Sequence, residues 1–246
     1  MRLLDLTLST PVENLALDEA LLEDLEHNER HAILRLWESD RYFVVLGRSS
    51  SLTDDVLLDA CRLDGVPIWR RASGGGTVLQ GPGCLSYALV LPLSLHADLR
   101  DIRSTNQMIL RSMAKALSRW QPDIAIEGIS DLAVDGRKVS GSAQRRKRNV
   151  LLFHGTILYR MQAGIVSRYL KQPKRQPDYR RDRSHCQFLR TIDASLPDIK
   201  QAIAHVWRAE TQSTTWPKER MAGAIAKVVE RSIQQEAECG ALISNK

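Results

Sequence analysis

The chain has 246 residues and is 43% hydrophobic, enough to bury one sizeable core without division into two domains, so a single domain over 1–246 is expected. No apolar run approaches the ~18 residues needed to span a bilayer, and the N-terminus has no basic stretch leading into an apolar one, so the expected setting is the cytoplasm, with no membrane partner. A net charge of +6 and a pI near 9.3 suit an acidic partner, while an aromatic content of 5%, with no aromatics interleaved in a basic stripe, argues against a nucleic-acid platform.

In chain order, Leu3 to Leu8 reads as a strand and Val12 to His27 as an amphipathic helix, with Leu15, Leu22 and Leu25 among its apolar positions. Ala32 to Trp37 and Tyr42 to Leu46 read as strands, and Val56 to Leu63 as a short helix. Val66 to Arg71 and Leu85 to Leu91 are expected as core strands flanking a glycine-rich loop, followed by one long proline-free helix from Asp98 to Trp120. Asp135-Gly136, between two runs of alternating β-type residues, signals a hairpin, and Val150 to Leu158 reads as a strand. Helices are expected at Ala163 to Leu170, Leu196 to Thr211 and Lys218 to Glu236. Hairpins mixed with helices predict an α+β fold, a mixed and largely antiparallel sheet covered by helices.

The chemistry concentrates in two segments. In WRRASGGGTVLQGPGCLSY, Trp69 to Tyr87, two arginines lead into three glycines, whose backbone can approach an anion closely and line a concavity with N–H groups. Arg70 and Arg71 would supply the charge there. In SDLAVDGRKVSGSAQRRKRNVLLFHGTIL, Ser130 to Leu158, the hairpin places Arg137 and Lys138 at the start of the returning strand, and Ser140, Gly141, Ser142 and Ala143 leave room for a ligand against it. Asp131 either orders the hairpin or helps hold a metal or nucleotide, and a structural role is the better reading. His154 is either a hydrogen-bonded core residue or a site residue, and Tyr87 either packs on the core or reaches a pocket. The runs Arg145 to Arg148 and Lys171 to His185 read either as solvated loop faces or as receivers of phosphates or an acidic protein. Cys61, Cys84, Cys186 and Cys239 form no CxxC pair, which argues against a zinc site or a disulfide framework.

Taken together, Arg70 to Gly76 (RRxSGGG), Asp131 to Ala143 (DxxVxGxKxSGSA) and His154 to Thr156 (HGT), with Asn14 to Leu22 as an opening helix, resemble the lipoate-protein ligase family over residues 1 to about 170. That resemblance implies the fold shared by biotin ligases and class II aminoacyl-tRNA synthetases. It implies a catalytic domain that activates lipoate or octanoate with ATP and Mg²⁺ as an acyl-adenylate and transfers it to a lysine of an acidic lipoyl-domain or glycine-cleavage H-type acceptor. Lys138 takes the catalytic role. Arg70, Ser73, Gly74, Gly75 and Gly76 position the acyl-phosphate portion, and Asp131, Ser140, Gly141, Ser142, Ala143, His154, Gly155 and Thr156 complete the substrate and nucleotide site, with no metal ligand assigned.

The pattern also departs from the family. Long lipoate ligases carry a C-terminal accessory domain, whereas residues 171–246 read as a basic loop and helices, so an accessory adenylation subunit is a candidate partner. Related octanoyltransferases acting between carrier proteins without ATP use a cysteine shortly before the SD segment, where this chain has Glu127, Gly128 and Ile129. Cys186 and Cys84 are the alternative thiols. A non-catalytic lipoate-binding subunit is the reading from a different class.

Overall fold

The computed structural model describes residues 1–28, 31–209 and 211–243, with the side chains of the last helix described to residue 233. Its centre is an eight-stranded sheet in the order β11-β1-β2-β6-β10-β9-β8-β7. The strands are β1 (Arg2–Asp5), β2 (Ile33–Trp37), β6 (Cys84–Pro92), β7 (Ala125–Glu127), β8 (Asp131–Val134), β9 (Arg137–Arg146), β10 (Val150–Leu158) and β11 (Thr211–Gln212). β11, β1 and β2 run parallel, and every other pairing is antiparallel. A smaller sheet, β4-β3-β5, is built from β3 (Phe43–Leu46), β4 (Ile68–Arg70) and β5 (Val78–Gln80). The architecture is the mixed α+β arrangement expected.

Both faces of the large sheet are covered, which is why β6 reads as an almost unbroken apolar run and is buried from Cys84 to Leu91. Leu85, Tyr87, Leu89 and Leu91 pack with Leu151 and Phe153 against α4 (Ile102–Leu117) and α7 (Leu196–Val206). Ala88, Val90 and Leu152 turn the other way, toward α1 (Pro11–Asn28) and α8 (Met221–Ile243). A third apolar cluster joins the small sheet to α2 (Leu52–Asp55), α3 (Leu58–Leu63) and α5 (Ala163–Tyr169), and α6 (His185–Phe188) packs beside α5.

Three local differences from the expectations have physical causes. The long helix expected from Asp98 is a 3₁₀ turn over Ala97–Arg100 followed by α4, because the Asp101 carboxylate caps a fresh helix start by accepting from Ser104 N at 2.9 Å. The helix expected over Val56 to Leu63 begins only at Leu58, since Val56 pairs with Leu170 in an isolated bridge, and an unexpected short helix, α2, precedes it. The glycine loop joins β4 to β5, not to the core strand β6. β5 is three residues long, too short for alternation to show in the sequence, and β4 is only half buried.

Candidate active site

The site lies on the α1 and α8 face of the sheet, and strand register puts its side chains in rows. One row crosses β2, β6, β10, β9 and β8 as Trp37, Ser86, Thr156, Gly141 and Asp131. The next runs Arg35, Ala88, His154 and Ala143. The Asp135-Gly136 turn has φ of 52° and 65° at its two central residues, the left-handed pair a two-residue hairpin requires. On β9, Ser140 pairs with Leu132 and Lys138 with Ala133, so Val139 is bulged out and sits in the core behind the sheet. The bulge re-aims Lys138: strict alternation from Gly141 would have turned it away from the site.

The Lys138 ammonium then lies 2.8 Å from the Asp131 carboxylate, whose other oxygen accepts from the Tyr179 hydroxyl at 2.8 Å. Gly141 is the floor beneath the ammonium, since a Cβ there would sit 2.5 Å from Lys138 Nζ. Around these groups opens a cavity of about 730 Å³, large enough for an acyl chain and a further group. Its floor is the first strand row with His154 and Ala143 of the second, one wall is α1 through Leu15 and Asp18, and another is the glycine loop through Arg71, Gly75, Gly76 and Thr77. The segment from Pro173 to Arg180 closes it, tied down by Tyr179 on Asp131 and by Arg183, which donates to Gly136 O at 2.8 Å. Two left-handed residues, Arg181 and Asp182, turn the chain at the end of this cover.

The two arginines divide their work. Arg70 donates to the carbonyls of Gly47, Arg48 and Ser50 at 2.5, 2.8 and 2.8 Å, tying down a neighbouring turn. Arg71 is buried in the wall and donates to Gly74 O at 2.7 Å, Gly76 O at 2.8 Å and Ser73 Oγ at 3.1 Å. Burial, with Arg70 close by, holds the Arg71 guanidinium down to about 10. Ser73 Oγ also lies 2.6 Å from His154 Nε2. Arg71 donates to that same oxygen, so Ser73 links the guanidinium to the imidazole, whose Nδ1 lies 4.0 Å from Asp18 Oδ2. Burial and the Arg71 charge hold the imidazole down to about 3, so it is neutral. Asp18 is itself buried against Arg35 at 2.6 Å; burial raises its carboxyl, and the guanidinium opposes that.

Of the residues singled out in the sequence, Gly75, Gly76, Asp131, Lys138, Gly141, Ser142, Ala143, His154, Gly155 and Thr156 line the cavity. Arg70, Ser73, Gly74 and Ser140 lie outside its lining, Ser73 and Gly74 as anchors of Arg71. Trp37, Asp18 and Glu127 line it without having been picked out as site residues, and Arg175, Tyr179 and Arg180 line it from the basic run Lys171 to His185. Asp18 was visible in principle as an acid inside the apolar run of the first helix. Tyr179 was marked only as a member of that basic run, with nothing in the sequence pointing to its contact with Asp131.

The first basic run proves to be structural over most of its length: Arg145 donates to Ala72 O at 2.9 Å, Arg146 to Leu99 O and Gln144, and Lys147 pairs with Glu26 at 2.6 Å. No described cysteine lines the cavity. Cys61 and Cys84 are buried free thiols, Cys84 pushed up to about 12 by burial, and Cys186 is exposed beside Ser167. Cys239 lies outside the described side chains. No group of three His, Cys, Asp or Glu among the described residues could cage a metal ion. No helix of the described residues is long and apolar enough to cross a membrane.

A model of the lipoyl protein ligase A/B catalytic domain family matches residues 10–209. A probable lipoate-protein ligase A of Mycoplasma pneumoniae is 28% identical over 67% of this chain and 47% of its own length. An octanoyltransferase LipM of Carboxydothermus hydrogenoformans is 30% identical over 78% of this chain and 79% of its own. Among solved structures, a bipartite lipoate protein ligase of Thermoplasma acidophilum, studied with its E2 lipoyl domain, superposes with a TM-score of 0.76 at 21% identity, over 92% of this chain and 90% of that one, and shows the same fold. The chain spans about half the length of the first lipoate-ligase relatives it matches, 47% and 56%. The match of residues 10–209 to that family model shows that the chain belongs to the lipoyl protein ligase A/B catalytic domain family.

Proposed function

We propose that this chain is a single catalytic unit that activates lipoate or octanoate with ATP and transfers the acyl group to a lysine of an acidic lipoyl-domain or H-type acceptor protein. The carrying observation is the Lys138 ammonium, bulged into the cavity, floored by Gly141 and held by Asp131 at 2.8 Å. In the first step a carboxylate oxygen of the acid attacks the α-phosphorus and pyrophosphate leaves. In the second the acceptor amine attacks the acyl carbonyl and AMP leaves. Both steps build negative charge on oxygens between the acyl carbon and the phosphorus, and one preorganised cation placed there lowers both barriers. Asp131 balances and orients that cation, and the glycine loop offers backbone to the anion.

Mg²⁺ fits this reading as a companion of the nucleotide phosphates, since it is commonly held by one or two carboxylates plus phosphate oxygens, and Asp131 is the carboxylate beside Lys138. Free Cys61, Cys84 and Cys186 support a reducing, cytoplasmic setting. The octanoyltransferase among the relatives supports a second reading, transfer from an acylated carrier without ATP, against which stands a cavity without a described thiol in its lining.

The test is mass spectrometry of an acidic lipoyl domain after incubation with this protein, lipoate and Mg²⁺, with and without ATP. A lipoyl mass gain only with ATP, and loss of acyl-dependent pyrophosphate release by at least about 10²-fold in Lys138→Ala, are expected. A gain from an octanoylated carrier without ATP would establish the second reading, and normal pyrophosphate release by the variant would remove Lys138 from its role.

A further inference from the structure

The last helix, α8, lies outside the residues 10–209 matched by the family, yet it touches the glycine loop's support directly. β4, which leads into that loop, is an edge strand: its inner side pairs with β3, leaving the Arg70 N–H and C=O facing outward. Such groups normally go to water or recruit another strand. Here α8 takes both. Arg70 N–H donates to Ser232 Oγ at 3.1 Å, and that hydroxyl donates onward to Val228 O at 2.8 Å within the helix. Arg231 Nε donates to Arg70 O at 3.4 Å, while the same guanidinium pairs with Glu19. Glu19 adjoins Asp18, which lines the α1 wall, and Arg70 adjoins Arg71, which holds the loop wall.

We infer that Arg231 and Ser232 are positioning residues for the acyl and nucleotide site: one guanidinium spans α1 and β4 and fixes the separation of the two cavity walls. Neither side chain lines the cavity, so the effect runs through Arg71 and the loop it organises. A loop released from this clamp must be ordered by the ligand on binding, which weakens affinity and leaves Lys138 untouched. The α8–α1 interface supplies its own control. Lys227 pairs with Glu23 at 2.7 Å, also fastening α8 to α1, but neither partner is bonded to β4.

The experiment compares Arg231→Ala, Ser232→Ala and Lys227→Ala in the full chain, with Ser232→Thr as the conservative variant. Hydrogen exchange of the peptide spanning residues 68–77 reads the clamp whether or not the activity is the one proposed. Exchange there is expected to rise about tenfold in the Arg231 and Ser232 alanine variants, stay at the wild-type rate in Lys227→Ala and recover in Ser232→Thr. The activity arm rests on the ligase reading: KM for the acyl acid rises several-fold in the first two variants, with kcat within about twofold. Equal exchange in all the alanine variants would overturn the clamp. Faster exchange with an unchanged KM would overturn its role in the site. If Arg231→Ala fails to fold, Ser232→Ala, which removes a single oxygen, decides between the same outcomes.

Discussion

His154 makes the site sensitive to acid in a direction that follows from its burial. Its folded-state value is about 3 against an ordinary 6.5, so on acidification below 6.5 the unfolded chain takes up a proton that the folded chain refuses. Stability is therefore complete above that range and falls by about 1.4 kcal/mol for each pH unit until the folded value is reached. Urea unfolding of the wild type and His154→Gln at about pH 7 and about pH 5 is expected to show the wild type losing about 2 kcal/mol more than the variant. Equal losses would mean that the imidazole is protonated in the folded protein. At this scale the sequence showed which residue types gather at the site but not which way they face. The sequence pattern assigned the acyl-phosphate position to Arg70, but neighbours on an extended chain point oppositely, so Arg70 ties a turn while Arg71 lines the cavity and supports the loop.

The strands β9 and β10 carry two glycines whose roles separate cleanly. A Cβ on Gly141 would meet the far end of the Lys138 side chain at 2.5 Å, a contact relieved by moving the ammonium. Gly141→Ala is thus expected to keep its melting temperature within a few degrees and lose on the order of 10²-fold in activity, through displacement of the charge. A Cβ on Gly155 would meet Gly141 O at 2.7 Å and the Tyr87 ring, which can yield only if strands shift, so Gly155→Ala should cost about 1–3 kcal/mol in unfolding free energy. Thermal melts beside single-turnover assays distinguish the pair. The hairpin that displays Lys138 was legible because Asp-Gly admits two left-handed residues. The bulge at Val139 was not, since nothing in KVSGSA separates regular alternation from a skipped pair.

Across the whole molecule, the sheet with its two helical layers was foreshadowed by the order of elements, and its least predictable part is where distant segments close the cavity. Residues 173–180 arrive from a basic stretch whose composition reads equally well as a solvated face, and only the Tyr179 contact with Asp131 reveals it as a cover. Charge is a property of this scale too. With +6 overall, association with an acidic acceptor is steered by long-range attraction that salt screens. Raising KCl from about 50 to about 500 mM is expected to increase KM for the acceptor several-fold and leave KM for the acyl acid nearly unchanged. A flat acceptor KM would place docking on an uncharged surface.

The Arg71 guanidinium has one more consequence. It draws the carbonyl oxygens of Gly74 and Gly76 toward itself, and no peptide bond of the described chain is cis. In a planar trans peptide the carbonyl and the following amide point in opposite directions, so the N–H groups of Gly75 and Thr77 are turned away from the arginine. The buried cation thus sorts the dipoles of a flexible loop, and an incoming anion meets its charge relayed through the backbone.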